Sequence, residues 1–240
     1  MDTNETISPE DLLGNLSGGR VLDVATGSGN FIHSLVEDLK DYTEIIGVDN
    51  SRNAAAAFSE SFRKQKNIHF QLMDVHHLDF PDSSFDLVCI SNSLHHLDPV
   101  TVLNEMKRVL RPGGTLLVSE MYCDDQAETQ MTHVLLHHWW AAVDTVNGIV
   151  HRETYTRQAL MDMVSALGLQ DVHAFDLSDL SEDPKSRDFL EQLDPVFESY
   201  IQRAEGRPEL QARGEELKIR AREVGFHSAT TLMVMGRKPG

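Results

Sequence analysis

The chain has 240 residues, enough for a well-buried α/β core with additions. Its 38 acidic and 21 basic residues give a formal net charge of −17, which repels nucleic-acid phosphates and anionic membrane surfaces. The sequence carries no signal-peptide pattern, no apolar run near the ~20 residues needed to span a bilayer, and too few cysteines for a disulfide framework. We therefore expect a cytoplasmic protein that has no nucleic-acid partner and does not enter membranes.

Short apolar strands alternate with amphipathic helices up to about residue 122. After a polar leader over residues 1–19, in which Ser8-Pro9-Glu10 is a good helix start, this alternation predicts a parallel sheet with helices on both faces. The predicted strands are 20–24, 44–48, 68–72, 85–91 and 115–121, and the predicted helices are 29–39, 52–64 and 99–110.

The second half of the chain adds helices to this pattern. Helices are predicted at 124–147, 157–167, 185–203 and 209–224, and strands at 172–177 and 229–236. We expect one α/β domain over residues 1–240, with a doubly wound, mostly parallel, seven-stranded sheet. Helical cap insertions are expected at approximately 123–155 and 181–226. A cap over a pocket is one interpretation of these helices, and a dimerisation arm that makes a homodimer is the other.

A glycine-rich turn follows the first strand, within residues 21–31. Gly27 and Gly29 can adopt backbone angles closed to other residues, and they let a ligand approach the main chain. The third glycine of a dinucleotide-binding loop is replaced by Ile32. The carboxylate of Asp23 would repel a pyrophosphate, but it suits an ammonium or sulfonium group. S-adenosylmethionine carries both groups and no phosphate.

Acidic residues also end the second and third strands. Asp49 lies twenty residues past Gly29, the spacing at which a carboxylate meets the ribose hydroxyls of an adenosine cofactor. Asp74 ends the third strand in the same way.

These segments give the chain a resemblance to class I S-adenosylmethionine-dependent methyltransferases over about residues 18–122. The motifs are Val21–Gly29, Gly47–Asp49, Met73–Val75, Phe85–Cys89 and Arg108–Gly114. The resemblance implies a Rossmann-like fold and S-adenosyl-L-methionine as cofactor. It further implies that the first loop holds the methionine part, Asp49 the ribose and Asp74 the adenine amino group. The candidate cofactor-binding residues are Asp23, Ala25, Thr26, Gly27, Ser28, Gly29, Asp49, Asn50, Asp74, Val75 and Ser91.

Ala25 is a departure from the family pattern, because a glycine is common at this position. The change is small, and we expect it to be tolerated.

Two histidines are the catalytic candidates. His95 follows the fourth strand, where substrates of this family meet the cofactor, and an imidazole with a pKa near neutrality can act as a general base. The alternative is that His95 only packs or frames the cofactor. His138, on the helix after the fifth strand, is a candidate for contact with the substrate. Further candidates near the site are His96, Glu120, Tyr122, His137, Arg152 and Tyr155.

Metal binding is the other possibility for the helical histidines. His133 and His137 share one helix face and could hold a metal with a third ligand. The glutamate of the zinc-protease motif is missing after His133. Partly buried or solvated histidines in a cap helix are the simpler interpretation, and we assign no metal ligands.

The predicted function is S-adenosylmethionine-dependent methyl transfer to an oxygen, nitrogen or carbon atom of a small molecule. Residues 91–94 read Ser-Asn-Ser-Leu rather than Asn-Pro-Pro-Tyr, which argues against methylation of exocyclic base amines or glutamine amides. A noncatalytic S-adenosylmethionine-binding sensor or scaffold is the alternative. A dehydrogenase is a third hypothesis, disfavoured by Ile32 and Asp23.

Overall fold

A computed structural model describes residues 8–240 of the chain, so residues 1–7 of the predicted polar leader lie outside it. The strands are β1 Arg20–Val24, β2 Glu44–Asp49, β3 Ile68–Leu72, β4 Phe85–Ser91, β5 Leu110–Met121, β6 Gln170–Leu177 and β7 Thr231–Arg237. The helices are α1 Pro9–Asn15, α2 Asn30–Asp38, α3 Arg52–Ser61, α4 Pro99–Val109, α5 Glu128–Val146, α6 Arg157–Ser165, α7 Arg187–Arg203 and α8 Pro208–Glu223, with a 3-10 turn at Leu94–His96.

The seven strands form one sheet in the order β3-β2-β1-β4-β5-β7-β6. Strands β1 to β5 are parallel, and β7 runs antiparallel between β5 and β6. The strand order reverses at β1, which has β2 on one side and β4 on the other. Such a reversal opens a crevice at the carboxyl ends of the strands. The prediction of a doubly wound, mostly parallel, seven-stranded sheet is confirmed.

Most element boundaries fall within a few residues of the predicted ones, and two differences have a local cause. Strand β5 begins at Leu110 because Leu110 already pairs with Phe85 before the register shifts. Helix α5 begins at Glu128 rather than at residue 124, because the preceding residues are bonded elsewhere. Cys123 donates its backbone N–H to Tyr155 O (2.9 Å), and a carboxylate oxygen of Asp124 accepts from the Arg157 N–H (2.7 Å).

Apolar clusters cover both faces of the sheet. One cluster packs α4 and α6 against the strands through residues such as Met106 and Leu160, and the other packs α1, α2 and α3 through residues such as Leu35 and Phe58. Within residues 8–240, no helix combines the length and apolar character that crossing a bilayer requires.

A third cluster joins α5, α7 and α8 and is separate from the two sheet clusters. It consists of Leu136, Trp139, Val143, Phe197, Ala204, Leu217, Ala221 and Phe226. Trp139 is fully buried at its centre and donates its indole N–H to Leu210 O (2.8 Å). The ring lies directly over Gly214 of α8, where a Cβ atom would come within 2.3 Å of Trp139 Cζ2.

Gly214→Ala should therefore destabilise the protein, although alanine is the better helix former. The added methyl group overpacks a rigid indole, and we expect the free energy of unfolding to fall by about 1–3 kcal/mol in urea denaturation. The matched control is Gly14→Ala in α1, where the nearest heavy atom to a new Cβ is Asp38 O at 3.9 Å. That variant should gain roughly 0.5–1 kcal/mol. Equal gains in both variants would contradict the packing of Trp139 on α8.

Candidate functional site

A cleft of about 630 Å³ lies at the carboxyl ends of β1, β2 and β4, where the strand order reverses. Its volume is in the range of sites that hold small molecules and cofactors. The lining residues are Ala25, Gly27, Asp49, Asn50, Val75, His76, Asn92, Ser93, His96, Leu97, Ile149 and Val150. A cleft of similar size (about 650 Å³) beside Asp176–Asp179 lies away from these strand ends, and the glycine loop does not contribute to it.

The glycine loop is held against β2 by the carboxylate of Asp49. One oxygen of Asp49 accepts the Gly27 N–H (3.0 Å), and the other accepts the Ser51 N–H (2.8 Å). Gly27 has a positive φ of 54°, and a Cβ placed on it would have no heavy atom of residues 8–240 within 4 Å. The backbone of Gly27 is thus open to a ligand in the cleft.

Ala25 also adopts a left-handed conformation, with φ of 55°. Such a conformation costs an alanine roughly 1–2 kcal/mol and costs a glycine almost nothing. This explains why a glycine suits the position that Ala25 occupies.

Asp23 lies behind the loop and is not among the cleft-lining residues. Its buried carboxylate accepts a hydrogen bond from the Thr26 hydroxyl (2.5 Å), and Cys89 Sγ lies 3.5 Å away. Burial raises the pKa of Asp23 to about 7. Near neutral pH the Asp23 carboxyl is therefore only partly ionised. It does not carry the full negative charge that the sequence predicts beside an ammonium or sulfonium group.

The other candidate cofactor residues divide into two groups. Ala25, Gly27, Asp49, Asn50 and Val75 line the cleft, whereas Asp23, Thr26, Ser28, Gly29, Asp74 and Ser91 do not. Gly29 instead provides the sharp entry into α2, with φ of 89° and no room for a Cβ beside Phe62. Asp74 is exposed, and hydrogen bonds from the backbone and ring of His76 lower its pKa and keep it ionised.

The turn after β4 forms a wall of the cleft and is fixed by Glu120 of β5. The carboxylate of Glu120 is buried, and one oxygen accepts the N–H groups of Ser93 (2.9 Å) and Leu94 (2.8 Å). The other oxygen lies 3.0 Å from His95 Nδ1. Asn92, with φ of 43°, accepts the Met121 N–H on its side-chain oxygen (3.0 Å). The end of β5 thus determines where the turn lies.

The two catalytic candidates both lie outside the cleft lining. His95 is buried one layer behind the wall, and the ring that lines the cleft belongs to His96, with its centroid 4.3 Å from that of His95. His138 Nε2 lies 2.9 Å from the Thr154 hydroxyl, and His133 Nδ1 accepts the Ala229 N–H (3.0 Å). His133 and His138 are therefore both occupied by hydrogen bonds within the protein.

The loop after α5 completes the cleft. The sequence predicts that this loop lies near the site, but it does not predict which of its residues line the cleft. The Arg152 N–H donates to His95 O (2.8 Å), which brings Ile149 and Val150 to the cleft mouth. Gly148, at the predicted end of the helix, indicates that a loop follows near the site. The predicted contacts in that loop were Arg152 and Tyr155, whereas the residues on the lining are Ile149 and Val150. His76 and Leu97 also line the cleft, and His76 could have been found because it follows Asp74 so closely.

Asp23→Asn should change the pH dependence of stability. Because the folded-state pKa lies above the unfolded value, ionisation of Asp23 costs the native state stability as the pH rises from about 4 to about 7. The asparagine variant does not titrate and keeps an oxygen for Thr26. Its free energy of unfolding should exceed that of the wild type by up to about 4 kcal/mol at pH 8, with the difference shrinking toward pH 4.

Urea denaturation across this pH range would measure the effect. Asp162→Asn, at an exposed carboxylate on α6, is the control and should give a difference that does not vary in this way. A pH-independent difference for Asp23→Asn would contradict the raised pKa.

The match to a known protein family covers the part of the chain that supplies most of the cleft lining. Residues 22–118 match the family model for a methyltransferase domain. A demethylmenaquinone methyltransferase of Beutenbergia cavernae is 40% identical over 111 residues, covering 46% of this chain and 44% of its own length. A tRNA U34 carboxymethyltransferase of Campylobacter curvus is 33% identical over 117 residues, covering 48% of this chain and 38% of its own length. The chain thus spans less than half the length of these curated relatives.

A solved structure extends the likeness to the whole fold. Phosphoethanolamine N-methyltransferase 2 of Haemonchus contortus, in complex with phosphomonomethylethanolamine and S-adenosylhomocysteine, has a TM-score of 0.58 at 15% identity. The match covers 95% of this chain and 51% of that one. Residues 22–118 thus form a methyltransferase domain, and the sheet order agrees with the Rossmann-like fold of class I S-adenosylmethionine-dependent methyltransferases.

Proposed function

We propose that the protein transfers a methyl group from S-adenosylmethionine to a small-molecule acceptor. The observation that carries this proposal is the cleft of about 630 Å³ at the reversal of strand order, with the Asp49 carboxylate and the open backbone of Gly27 on its lining. The B. cavernae relative, named as a demethylmenaquinone methyltransferase, supports methyl transfer as the reaction class.

The residues at the cleft fit this cofactor. The backbone of the loop from Ala25 to Gly29 would hold the methionine part, since Gly27 presents no side chain to it. Asp49 would bind the ribose hydroxyls. Val75, which lines the cleft, would lie beside the adenine, with Asp74 next to it in the chain and outside the lining. When bound, the sulfonium supplies an electrophilic methyl group. The work left to the protein is to align the acceptor with that methyl and to exclude water.

The acceptor side of the cleft is apolar at its mouth. Ile149 and Val150 are 48% and 60% exposed, and Leu97 lies beside them on the lining. Exposed apolar side chains at a cleft favour a ligand with an apolar body. The B. cavernae relative, named for demethylmenaquinone, has an acceptor of this chemistry. We therefore propose an acceptor with an apolar ring or chain.

A nucleic acid is the alternative acceptor, and we favour it less than an apolar small molecule. The C. curvus relative is named for tRNA, and it matches about the same share of this chain as the demethylmenaquinone enzyme. The net charge of −17 separates the two cases, because it opposes the approach of a polyanion.

We propose that His96, rather than His95 or His138, contacts the acceptor. Burial lowers the pKa of His96 to about 4, so the ring is neutral at physiological pH. Its Nδ1 lies 3.3 Å from Val150 O, to which an Nδ1–H can donate, and Nε2 is then free to accept a hydrogen bond. An imidazole of such low pKa is a weak base, so its role is to orient an acceptor hydroxyl or amine.

Asp49→Ala should weaken binding of S-adenosylhomocysteine by about 1–3 kcal/mol, because hydrogen bonds to the ribose and to the Gly27 N–H go unmade. Isothermal titration calorimetry measures this loss. Asp162→Ala removes an exposed carboxylate on α6 and should bind like the wild type. Unchanged affinity in Asp49→Ala would contradict the ribose assignment. Failure of the wild type to bind either S-adenosylmethionine or S-adenosylhomocysteine would overturn the proposed function.

Val150→Glu should raise the KM for an apolar acceptor by at least about tenfold, since it places a charge where the apolar body would pack. Affinity for S-adenosylhomocysteine should stay unchanged. A demethylated quinol is the first acceptor to assay, and Val172→Glu, at an exposed valine on β6, is the matched control. Methyl transfer to tRNA instead of the quinol would contradict the acceptor class. Tight cofactor binding without transfer to a broad acceptor panel would favour the noncatalytic sensor or scaffold.

A further inference from the structure

Three buried histidines converge directly behind the cleft wall. His95 lies in the turn after β4, His137 on α5, and His151 on the loop that follows α5. Their exposed fractions are 2%, 8% and 7%, so each is more than nine-tenths buried. One side-chain nitrogen from each ring lies within 4.8 Å of the other two. Residues distant in sequence thus bring three nitrogen donors to one point.

Two of these nitrogens are buried with nothing to bond. His137 Nδ1 and His151 Nε2 have no hydrogen-bond partner among the described residues. A buried polar atom that stays unpaired costs about 1–3 kcal/mol, and native proteins contain few of them. Two such atoms in one three-histidine cluster are nitrogens that a shared ligand would satisfy.

The opposite nitrogens of two rings face buried carboxylates. His95 Nδ1 lies 3.0 Å from Glu120, and His151 Nδ1 lies 2.6 Å from Asp144. Asp144 is held in turn by Arg203 of α7. A carboxylate that accepts the Nδ1–H of an imidazole leaves Nε2 unprotonated and raises its strength as a ligand, the arrangement found around histidines that bind metals.

The three rings pack closely, and two of them favour the neutral form. The ring centroids of His95, His137 and His151 lie 4.6–5.4 Å apart, and burial together with these neighbours lowers the pKa of His137 far below its ordinary value. Burial also lowers the pKa of His151, although Asp144 opposes the shift. Neutral imidazole is the form that coordinates metal ions.

We propose that His95, His137 and His151 together bind one divalent transition-metal ion of the class that prefers nitrogen ligands, such as Zn²⁺. Three imidazoles with carboxylates behind two of them match a three-histidine zinc site that keeps a fourth position open. Mg²⁺ and Ca²⁺ prefer oxygen ligands and do not fit this donor set. The sequence pointed instead to His133 as the partner of His137, but His133 Nδ1 already accepts the Ala229 N–H.

The ion would join three segments that frame the cleft. It would tie α5 and the loop carrying Ile149 and Val150 to the turn after β4. The ring of His96 lies 4.3 Å from that of His95 and 4.1 Å from that of His151, and it is the layer between the cluster and the cleft. The metal would thereby fix the wall against which the acceptor binds, and its presence does not depend on the proposed methyl transfer.

Metal titration of the full chain tests the site without an activity assay. After removal of metals with a chelator, the wild type should bind one equivalent of Zn²⁺ in competition with a chromophoric chelator. Co²⁺ should give the intense visible bands of a four-coordinate site. Zn²⁺ should also raise the Tm by mass action. His137→Asn and His151→Asn should each weaken Zn²⁺ affinity at least about 100-fold, and Glu120→Gln about 10–100-fold with one equivalent retained.

Two histidines outside the cluster supply the matched controls. His138→Asn, on the same helix, and His77→Asn, at an exposed surface histidine, should bind Zn²⁺ like the wild type. Equal loss in His77→Asn would mean surface binding only and would overturn the site. The site would also be overturned if the wild type bound Zn²⁺ no more tightly than His137→Asn does, or if Co²⁺ gave a six-coordinate spectrum. If His137→Asn fails to fold by circular dichroism, the wild-type stoichiometry and Co²⁺ spectrum still decide.

Discussion

The hydrogen bonds of Glu120 are the interaction on which the rest of the site depends. A carboxylate buried at the end of β5 is costly unless its oxygens are paired, and here two backbone N–H groups and an imidazole pair with it. These bonds fix the turn after β4, which lines the cleft through Ser93 and His96 and carries His95 behind it. One side chain of a neighbouring strand thus positions both the wall of the cleft and the buried histidines.

The sheet and the glycine loop were predictable because their signals are local in sequence. The glycine turn follows the first apolar strand, and the next two strands lead into Asp49 and Asp74. This pattern indicates a parallel sheet and its crevice without information from the rest of the chain. The side-chain direction of Asp23 was not predictable in this way. Asp23 faces Cys89 of the adjacent strand β4, and a contact between strands cannot be inferred from spacing along one of them.

The histidine cluster shows the same limit more clearly. Helical periodicity relates His133 to His137, because both lie on one helix. The rings that actually surround His137 come from the turn after β4 and from the loop after α5. Their meeting depends on the path of that loop, which the hydrogen bond from the Arg152 N–H to His95 O helps to hold. Helix α5 is also buried on more than one side, since Trp139 packs toward α7 and α8 while His137 faces the turn after β4.

The position of β7 has a consequence for how the chain is made. β7 lies between β5 and β6, yet it follows both of them in sequence. During synthesis on the ribosome, β5 therefore emerges with an apolar edge at Leu116, Leu117 and Val118 that has no partner strand until β7 arrives. An unpaired apolar edge is prone to join another chain. The helices α5 to α8 emerge during this interval, before the last strand of the sheet.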